Sequence, residues 1–197
     1  AVVVSHGHLG HCGLLPVLMR EGFSGKVHCA TGTERIAMLS MLEAALLQEE
    51  ERQYWRGKGE PDRGAAPMYT ESEVTACEPL FAPWGFGERI PVDDRTTVEF
   101  FRAGHCPGSA FVRIELQEGD YRTKILYIGD MGAKANDLDS EQVIEDSYDH
   151  LVLPAFGAAR EDAGEVERRL AEIINRTHEA GGNVLIPIFS IDRREAI

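Results

Sequence analysis

The segment SHGHLGHCG, residues 5–13, constrains this chain more than any other. It places His6, His8 and His11 within six residues, with glycines between them. The residues before it, 1–5, form a β-branched run that predicts a short buried strand. Side chains two positions apart leave a strand on the same face, and His11 follows where the chain turns into a helix. The spacing therefore lets three imidazoles converge on one small volume, which is typical of a metal site.

Two further ligand-type residues come directly after predicted strands. His105 lies in AGHCPGSA and Asp130 in LYIGDMG, and glycines beside each allow the backbone to turn sharply. Taken alone, each would be interpreted as an ordinary turn residue. Together with the histidine cluster they favour a metal site, because zinc binds histidine nitrogens and carboxylate oxygens.

Periodicity and turn residues predict a mixed α and β chain. Helices are predicted over 12–22, 33–55, 70–81 and 162–182, and strands over 1–5, 26–30, 96–104, 109–117, 123–130, 150–156 and 183–189. The third helix begins with a predicted capping box between Thr70 and Glu73. In the long second helix, an apolar stripe is predicted to face the core. That stripe consists of Ile36, Leu39, Leu42, Ala45 and Leu46.

Composition limits the classes of function. The formal net charge is −13, which argues against a broad nucleic-acid-binding face but allows a local basic groove or a metal that meets phosphate. No run of eighteen apolar residues occurs, so no membrane span is predicted. The cysteines form no CxxC pair, which favours reduced thiols in the cytoplasm or an organelle matrix and not a secreted protein. Cys12 and Cys106 follow candidate ligands, but we interpret both as small buried hydrophobic residues.

The motifs together resemble those of a known family. HGHLGH is similar to the HxHxDH motif, AGHCPGSA to AGHxxGSA, and YIGDMG to the strand-ending GD motif of the metallo-β-lactamase fold. Near the end, GGNVLIPIFSIDR is similar to GGxVLIPxFAxGR, which opens the β-CASP insertion. The chain thus resembles the β-CASP nucleases that process RNA, a group that includes ribonuclease J and the endonuclease of the polyadenylation machinery.

This resemblance implies an α/β (α+β) fold, a metallo-β-lactamase-type αββα sandwich that is incomplete at both ends. Residues 1–182 would form the partial metallo-β-lactamase-like domain, and 183–197 would begin the β-CASP-like segment. The family has strands before HxHxDH and a further histidine after the insertion, and neither lies within this chain. We therefore expect another chain or missing flanks to cover an open sheet edge.

The resemblance also implies the ligands and their roles. The implied metal ligands are His6, His8, His11, His105 and Asp130. Asp130 would bridge two metals, His11 would bind the second, and both would be catalytic. Gly10 stands where the family has aspartate, which predicts one zinc ion and not two. Two other departures are Pro154–Ala155 in place of a glutamate-containing segment, and Asp192 in place of a glycine.

Two functions from different classes follow from these departures. The first is a metal-dependent phosphodiesterase of the β-CASP class, a zinc-dependent ribonuclease acting on RNA. The second is a catalytically degenerate scaffold or subunit of a larger RNA-processing or ribonucleoprotein assembly. A third alternative, a thiolester hydrolase of the same fold, is disfavoured by the VLIPIFSIDR segment. The number of zinc ions bound per chain would discriminate the first two, because a two-metal hydrolase needs both ions.

Overall fold

A computed structural model describes residues 1–130, 147–154 and 163–186. The chain divides into two compact units, Ala1–Pro154 and Ala155–Ile197. The strands of the first unit are β1 (Val2–Val4), β2 (Val27–Ala30), β3 (Phe81–Trp84), β4 (Arg89–Pro91), β5 (Thr96–Arg102), β6 (Ala110–Glu118), β7 (Tyr121–Ile128) and β8 (His150–Val152). Its helices are α1 (Leu9–Cys12), α2 (Leu15–Arg20), α3 (Thr33–Gly57) and α4 (Glu71–Cys77). The second unit contains α5 (Ala163–Glu179).

The strands of the first unit form two sheets. The first sheet has the order β1-β2-β3, and both of its pairings are parallel. The second has the order β4-β5-β6-β7-β8, with antiparallel pairings except for the parallel pairing of β7 with β8. At the ends of their strands the sheets are joined by a hydrogen bond of 2.8 Å from the Ala110 amide to the Ser5 carbonyl.

Side chains that alternate between the two faces of the first sheet pack it between a layer of helices and the second sheet, which gives three layers. On one face of the first sheet, Val4 and Cys29 pack with Met41 of α3 in an apolar cluster. On its other face, Val3 packs with Phe100 and other side chains of the second sheet. Successive strand residues point to opposite faces, so the first sheet is covered by helices on one side and by the second sheet on the other. The predicted α/β fold class is confirmed.

Several predicted elements are confirmed with small changes in their bounds. The Thr70–Glu73 capping box opens α4, with both of its hydrogen bonds present. Strands β5, β6 and β7 fall within three residues of their predicted limits. In the second unit, α5 ends before Gly181, whose φ is +70°, as the glycine pair predicts. The predicted start of that helix at Asp162 lies outside the described residues.

Other predicted elements are wrong. The helix predicted over 12–22 is shorter: α2 spans Leu15–Arg20, with Pro16 in its first turn, and Cys12 belongs to the separate short helix α1. Phe81, predicted to end a helix, begins β3, and β4 was not predicted at all. Both missed strands are short and contain proline, which weakens a strand pattern in sequence.

The predicted core stripe of α3 is confirmed at Leu42 and Ala45, which belong to the core, and wrong at Leu39 and Leu46. Leu39 and Leu46 are 51% and 46% exposed, whereas Ala37 and Ser40 are buried. Small residues face inwards because α3 packs against the backbone of the histidine loop. The Ser40 hydroxyl donates a 2.7 Å hydrogen bond to the carbonyl of Gly7, and a Cβ on Gly7 would lie 2.6 Å from the Ala37 amide nitrogen. Large side chains on this face would hold the helix away from the loop.

Two predicted buried strands differ from the structure. The strand predicted over 150–156 is β8, but Leu151 and Val152 are 55% and 46% exposed at the edge of the second sheet. Of the strand predicted over 183–189, residues 183–186 form no strand, and the rest lie outside the described residues. Among the described helices, none is long and apolar enough to cross a bilayer.

The face of the second sheet directed away from the first sheet carries an ionic network. Glu115 is 7% exposed and accepts hydrogen bonds from Arg89, at 2.5 Å, and from Arg122. Arg113 donates to Glu99, which is 8% exposed. The hydrogen bond from Arg89 is the main cause that lowers the pKa of Glu115 to about 2, against the opposing effect of burial.

We predict that Glu115→Gln lowers the free energy of unfolding at pH 7 by about 2–3 kcal/mol, because it leaves two arginines without their charged acceptor. A carboxylate whose pKa is lowered on folding stabilises the protein above its unfolded pKa, and this stability is lost as pH falls through the folded value. The difference between the variant and the wild type should therefore shrink as pH falls from about 4.5 towards 2. Urea unfolding across this range measures it, with Glu118→Gln, an exposed residue of the same strand, as the control. Equal destabilisation by both variants would contradict the prediction.

Candidate metal centre

The first three histidines lie in the loop after β1 and in the short helix α1. His6 is 1% exposed, and its Nδ1 lies 3.0 Å from the Ser5 hydroxyl. His8 immediately precedes α1, and His11 lies within it with 25% of its side chain exposed. The short helix turns the chain back on itself, so that all three rings lie close together. The centroid of the His6 ring is 4.7 Å from that of His8 and 4.0 Å from that of His11.

The β5–β6 loop supplies His105. The Ser109 hydroxyl accepts hydrogen bonds from the amides of His105, at 3.0 Å, and Cys106, at 3.1 Å, and these fix the loop. Gly108 has a φ of +77°, and its carbonyl accepts a 2.6 Å hydrogen bond from the Thr33 hydroxyl at the start of α3. A Cβ on Gly108 would lie 2.4 Å from the Thr33 amide nitrogen, so only glycine fits this contact.

Asp130 follows β7 and enters the same volume. Its neighbour Gly129 packs against the first loop so closely that a Cβ there would lie 2.4 Å from the Ser5 hydroxyl oxygen. The same Cβ would lie 3.2 Å from Nδ1 of His6. Gly129 is therefore required for the end of β7 to approach the histidine loop and for the carboxylate to reach the imidazoles.

The predicted ligands converge. A single carboxylate oxygen, Oδ2 of Asp130, lies 3.3 Å from Nε2 of His6 and 3.4 Å from Nε2 of His105. Nε2 of His105 is in turn 3.1 Å from Nδ1 of His8. Potential ligand atoms of these four residues all lie within 4.8 Å of one another. Three of the four are partly exposed, so solvent can reach the cluster.

These separations suit a tetrahedral zinc ion. Ligands at about 2.0–2.1 Å from zinc in a tetrahedron are roughly 3.3 Å from one another. The distances from Oδ2 of Asp130 to Nε2 of His6 and of His105, 3.3 and 3.4 Å, match that spacing. Three nitrogens and one carboxylate oxygen are also a donor set that zinc accepts. The residues present therefore fit the ion that the resemblance implies.

The state of His6 supports this fit. Burial is the main cause that lowers its pKa to about 3, and the neighbouring histidines lower it further, while Asp130 opposes the change. The ring is therefore neutral, which is the form that binds a metal. Although Nε2 lies 3.3 Å from Asp130, the geometry does not make a hydrogen bond, and this buried nitrogen has no hydrogen-bond partner among the described residues. A buried nitrogen of this kind needs a partner, and a metal ion would supply it.

His11 and Gly10 occupy the exposed side of the cluster. Nε2 of His11 lies 3.9 Å from Oδ2 of Asp130, so His11 adjoins the four-residue group. Gly10 is exposed, has no positive φ, and a Cβ built on it would meet no atom within 4 Å. Of the two other departures from the family pattern, Pro154 is described, whereas Ala155 and Asp192 lie outside the described residues.

The cysteines beside the ligands are buried, as predicted. Cys12 is 2% exposed and Cys106 is 5% exposed. Burial raises the pKa of Cys12 to about 12, which holds the thiol in its protonated, non-ligating form. His28, which belongs to no motif, accepts a hydrogen bond of 3.1 Å from the indole of Trp84.

Sequence reasoning missed the residues that hold the ligands in place. The hydroxyls of Ser5, Thr33, Ser40 and Ser109 contact the ligand loops or the ligands themselves. Ser5 and Ser109 belong to the segments SHGHLGHCG and AGHCPGSA, and their positions directly before His6 and four residues after His105 were the available signal. The contacts of Thr33 and Ser40 depend on packing between segments that are distant in sequence.

The chain is similar in sequence to several proteins of known name. The chain is 28% identical over 202 residues to the transcription termination factor FttA of Methanocaldococcus jannaschii, covering all of this chain and 30% of that protein. It is 31% identical over 199 residues to a ribonuclease of Thermus thermophilus, covering all of this chain and 41% of that protein. Integrator complex subunit 11 of Danio rerio is 26% identical over 200 residues, with 31% of its length covered.

The chain is a relative of the β-CASP RNA-processing nucleases. This β-CASP relative spans 30–41% of the length of the three proteins named above. No protein-family profile matches it. Among solved structures it is similar to a subclass B3 metallo-β-lactamase from a soil metagenome library, with 19% identity and a TM-score of 0.46. That alignment covers 91% of this chain and 63% of the other.

Proposed function

We propose that this chain carries the metal centre of a zinc-dependent ribonuclease that hydrolyses phosphodiester bonds in single-stranded RNA. The observation that carries the proposal is the convergence of four ligand residues, with potential donor atoms within 4.8 Å of one another, at a place that solvent can reach. The proposed RNA substrate is supported by two relatives, a ribonuclease and a transcription termination factor, whose similarity extends over the whole of this chain.

His6, His8, His105 and Asp130 would hold the zinc ion. When bound, zinc supplies Lewis-acid activation of a phosphate group and of a water molecule. Ser5 holds His6 in one orientation through the 3.0 Å contact with Nδ1, which leaves Nε2 directed at the cluster. Ser109 does the same for the loop of His105 through two backbone amides.

His11 and Asp130 would act on the substrate side. The His11 ring is 25% exposed and the Asp130 carboxylate 29% exposed, so both border the path by which RNA and water enter. Nε2 of His11 would position the substrate phosphate by a hydrogen bond, and Asp130 would orient the attacking water. Both groups are already close together, because their atoms Nε2 and Oδ2 are 3.9 Å apart.

The alternative, a scaffold without activity, is favoured by Gly10. No carboxylate can come from this position, and a relative that has lost hydrolysis could still keep one metal for structure. Buried cysteines with protonated thiols support a reducing location, the cytoplasm or an organelle matrix, for either function. The proposed partners are RNA or a ribonucleoprotein complex, with flanking sequence or another chain covering the edge of the sheet.

The two functions can be separated with the full-length protein that contains this chain. We expect the zinc-loaded protein to cleave a labelled single-stranded RNA and to leave the matching RNA duplex intact. A chelator should abolish cleavage, and added zinc should restore it, because the histidine and aspartate ligands are useful only when the ion is bound. Zinc-loaded protein that leaves every single-stranded RNA intact would contradict the ribonuclease and favour the scaffold.

A further inference from the structure

A pocket of about 540 Å³ lies beside the proposed metal centre, within the first unit. Its walls come from the ends of β2, β3 and β5 and from the loop that carries His105. Gly104 and Cys106, which flank His105 in sequence, both line it. A volume in the range of 300–1,000 Å³ is typical of small-ligand sites. A ligand in this pocket would therefore lie next to the group that we propose cleaves RNA.

The pocket contains a cation on an aromatic platform. Arg102, the last residue of β5, has its guanidinium carbon 4.5 Å from the centre of the Phe86 ring. Arg102 forms no salt bridge with any residue that the structure describes. Because the whole chain has a net charge of −13, an arginine beside the proposed centre that pairs with none of the described carboxylates is unusual. Guanidinium groups bind phosphate through two parallel hydrogen bonds and stack on aromatic rings at the same time.

A second hollow differs from this pocket in the charge of its lining. It has a volume of about 410 Å³ and lies at the opposite end of β5, around the β4–β5 turn. Asp93, Asp94 and Glu118 line it together with a single arginine, Arg95. Its carboxylates would repel a phosphate group, whereas no acidic residue in the described part of the chain lines the pocket of Arg102.

We propose that the pocket beside His105 binds one nucleotide of single-stranded RNA next to the bond that is cleaved, with Arg102 contacting its phosphate. Phe86 is a positioning residue, because it holds the guanidinium by stacking and does not itself contact the phosphate. The glycines of the wall leave room for the sugar and base. This inference rests on the proposed ribonuclease function and names the part of the substrate that the pocket recognises.

The test compares Arg102→Gln with Arg95→Gln in the full-length protein. RNA binding is measured on chelator-treated protein with a fluorescent single-stranded oligonucleotide, so that no cleavage interferes. We expect Arg102→Gln to weaken binding about tenfold and to reduce the salt dependence of log K by about 0.7, the value for one phosphate contact on a single strand. Arg95→Gln should change neither quantity, although it removes an equal charge from the other end of the same strand.

Kinetics on the zinc-loaded protein give a second readout. Arg102→Gln should raise KM about tenfold with kcat within about twofold, because the lost contact is made equally in the ground and transition states. Arg102→Lys should keep the salt dependence but lose affinity, and Phe86→Leu should lose affinity with an unchanged salt dependence.

The inference is overturned if Arg102→Gln binds RNA like the wild type, or if Arg95→Gln weakens binding equally. These outcomes are distinct from failure of the proposed function. If the zinc-loaded wild type cleaves no RNA, the proposed ribonuclease function is wrong. A difference in RNA binding between the two arginine variants would still support a nucleotide site in this pocket.

Discussion

Asp130→Asn should abolish both metal binding and RNA hydrolysis while leaving the fold intact. The substitution keeps the shape of the side chain but replaces a charged oxygen that lies 3.3 Å from His6 and 3.4 Å from His105. A neutral amide is a much weaker zinc ligand, since zinc sites in proteins use carboxylate and not amide oxygens. Loss of a residue that only hydrogen-bonds to a metal ligand costs about 10–100-fold in metal affinity. Loss of Asp130, a proposed ligand itself, should therefore cost more than about 100-fold.

Three measurements check this prediction. Elemental analysis should find about one zinc per wild-type chain, as Gly10 implies for a single complete site, and close to none in Asp130→Asn. Added zinc should raise the melting temperature of the wild type only, because zinc at 100 times its Kd stabilises the folded state by about 2.7 kcal/mol. Cleavage of RNA should fall with zinc content.

Asp120→Asn is the matched control, because Asp120 is an exposed aspartate in the β6–β7 turn, outside the cluster. It should keep the zinc content and the cleavage rate of the wild type. Retention of zinc by Asp130→Asn would show that this carboxylate is not a ligand. Zinc loss combined with a lower melting temperature of the metal-free variant would instead indicate damage to the fold.

The candidate site was predictable from sequence because the residues that could hold a metal lie in short, dense motifs. Three histidines within six residues, and a histidine and an aspartate directly after strands, are visible without a fold. Strand ends meet at one edge of a sheet sandwich, so residues far apart in sequence come together there. The structure places Oδ2 of Asp130 against Nε2 of both His6 and His105 in this manner.

The support around the site was not predictable, because it depends on close approach between distant segments. The inward face of α3 carries Ala37 and Ser40, which look like weak core formers in sequence. They are buried because Gly7 presses against the helix backbone, a contact that no periodicity reveals. Leu39 and Leu46 fit a helical apolar stripe equally well, yet they are exposed. Pattern alone fixes the period of a helix but not which face approaches a neighbouring loop.

The ionic network on the second sheet was also not predicted, for a related reason. Glu99, Arg113 and Glu115 alternate with apolar residues, which predicts a solvated face. They are instead nearly buried, and their charges are paired between strands of the sheet: Glu99 with Arg113, and Glu115 with Arg122 of β7 and Arg89 of β4. Cross-strand pairs depend on register, such as Glu99 opposite Arg113, and register is set by the whole sheet.

Gly10→Asp should convert a single metal site into a double one. Gly10 lies in α1 beside His11, and a Cβ there meets no atom within 4 Å, so the backbone accepts a side chain without strain. The new carboxylate would join His11 and Asp130, whose atoms Nε2 and Oδ2 are 3.9 Å apart, as a third potential ligand on the exposed side. Zinc content should rise from about one to about two per chain, because a second ion then has a complete set of protein ligands.

Hydrolysis should rise with the second ion. Two ions stabilise the attacking and leaving oxygens together, and a gain of about 1.4 kcal/mol in the transition state already corresponds to a tenfold faster reaction. Gly10→Asn is the control, because asparagine has nearly the same size and the same backbone effect but no charge. It should leave zinc content and rate at their wild-type values, so that any change common to both variants reports the backbone and not the ligand.

Two results would reject this account of Gly10. If the wild type already binds two zinc ions, Gly10 does not prevent binding of the second ion. The ligands that complete the second site with His11 and Asp130 would then come from elsewhere in the full-length protein. If Gly10→Asp binds a second ion but hydrolyses RNA no faster, the missing carboxylate does not limit the rate of hydrolysis. In that case the scaffold function gains support, because a complete pair of metal sites would be present without the chemistry that two metals supply.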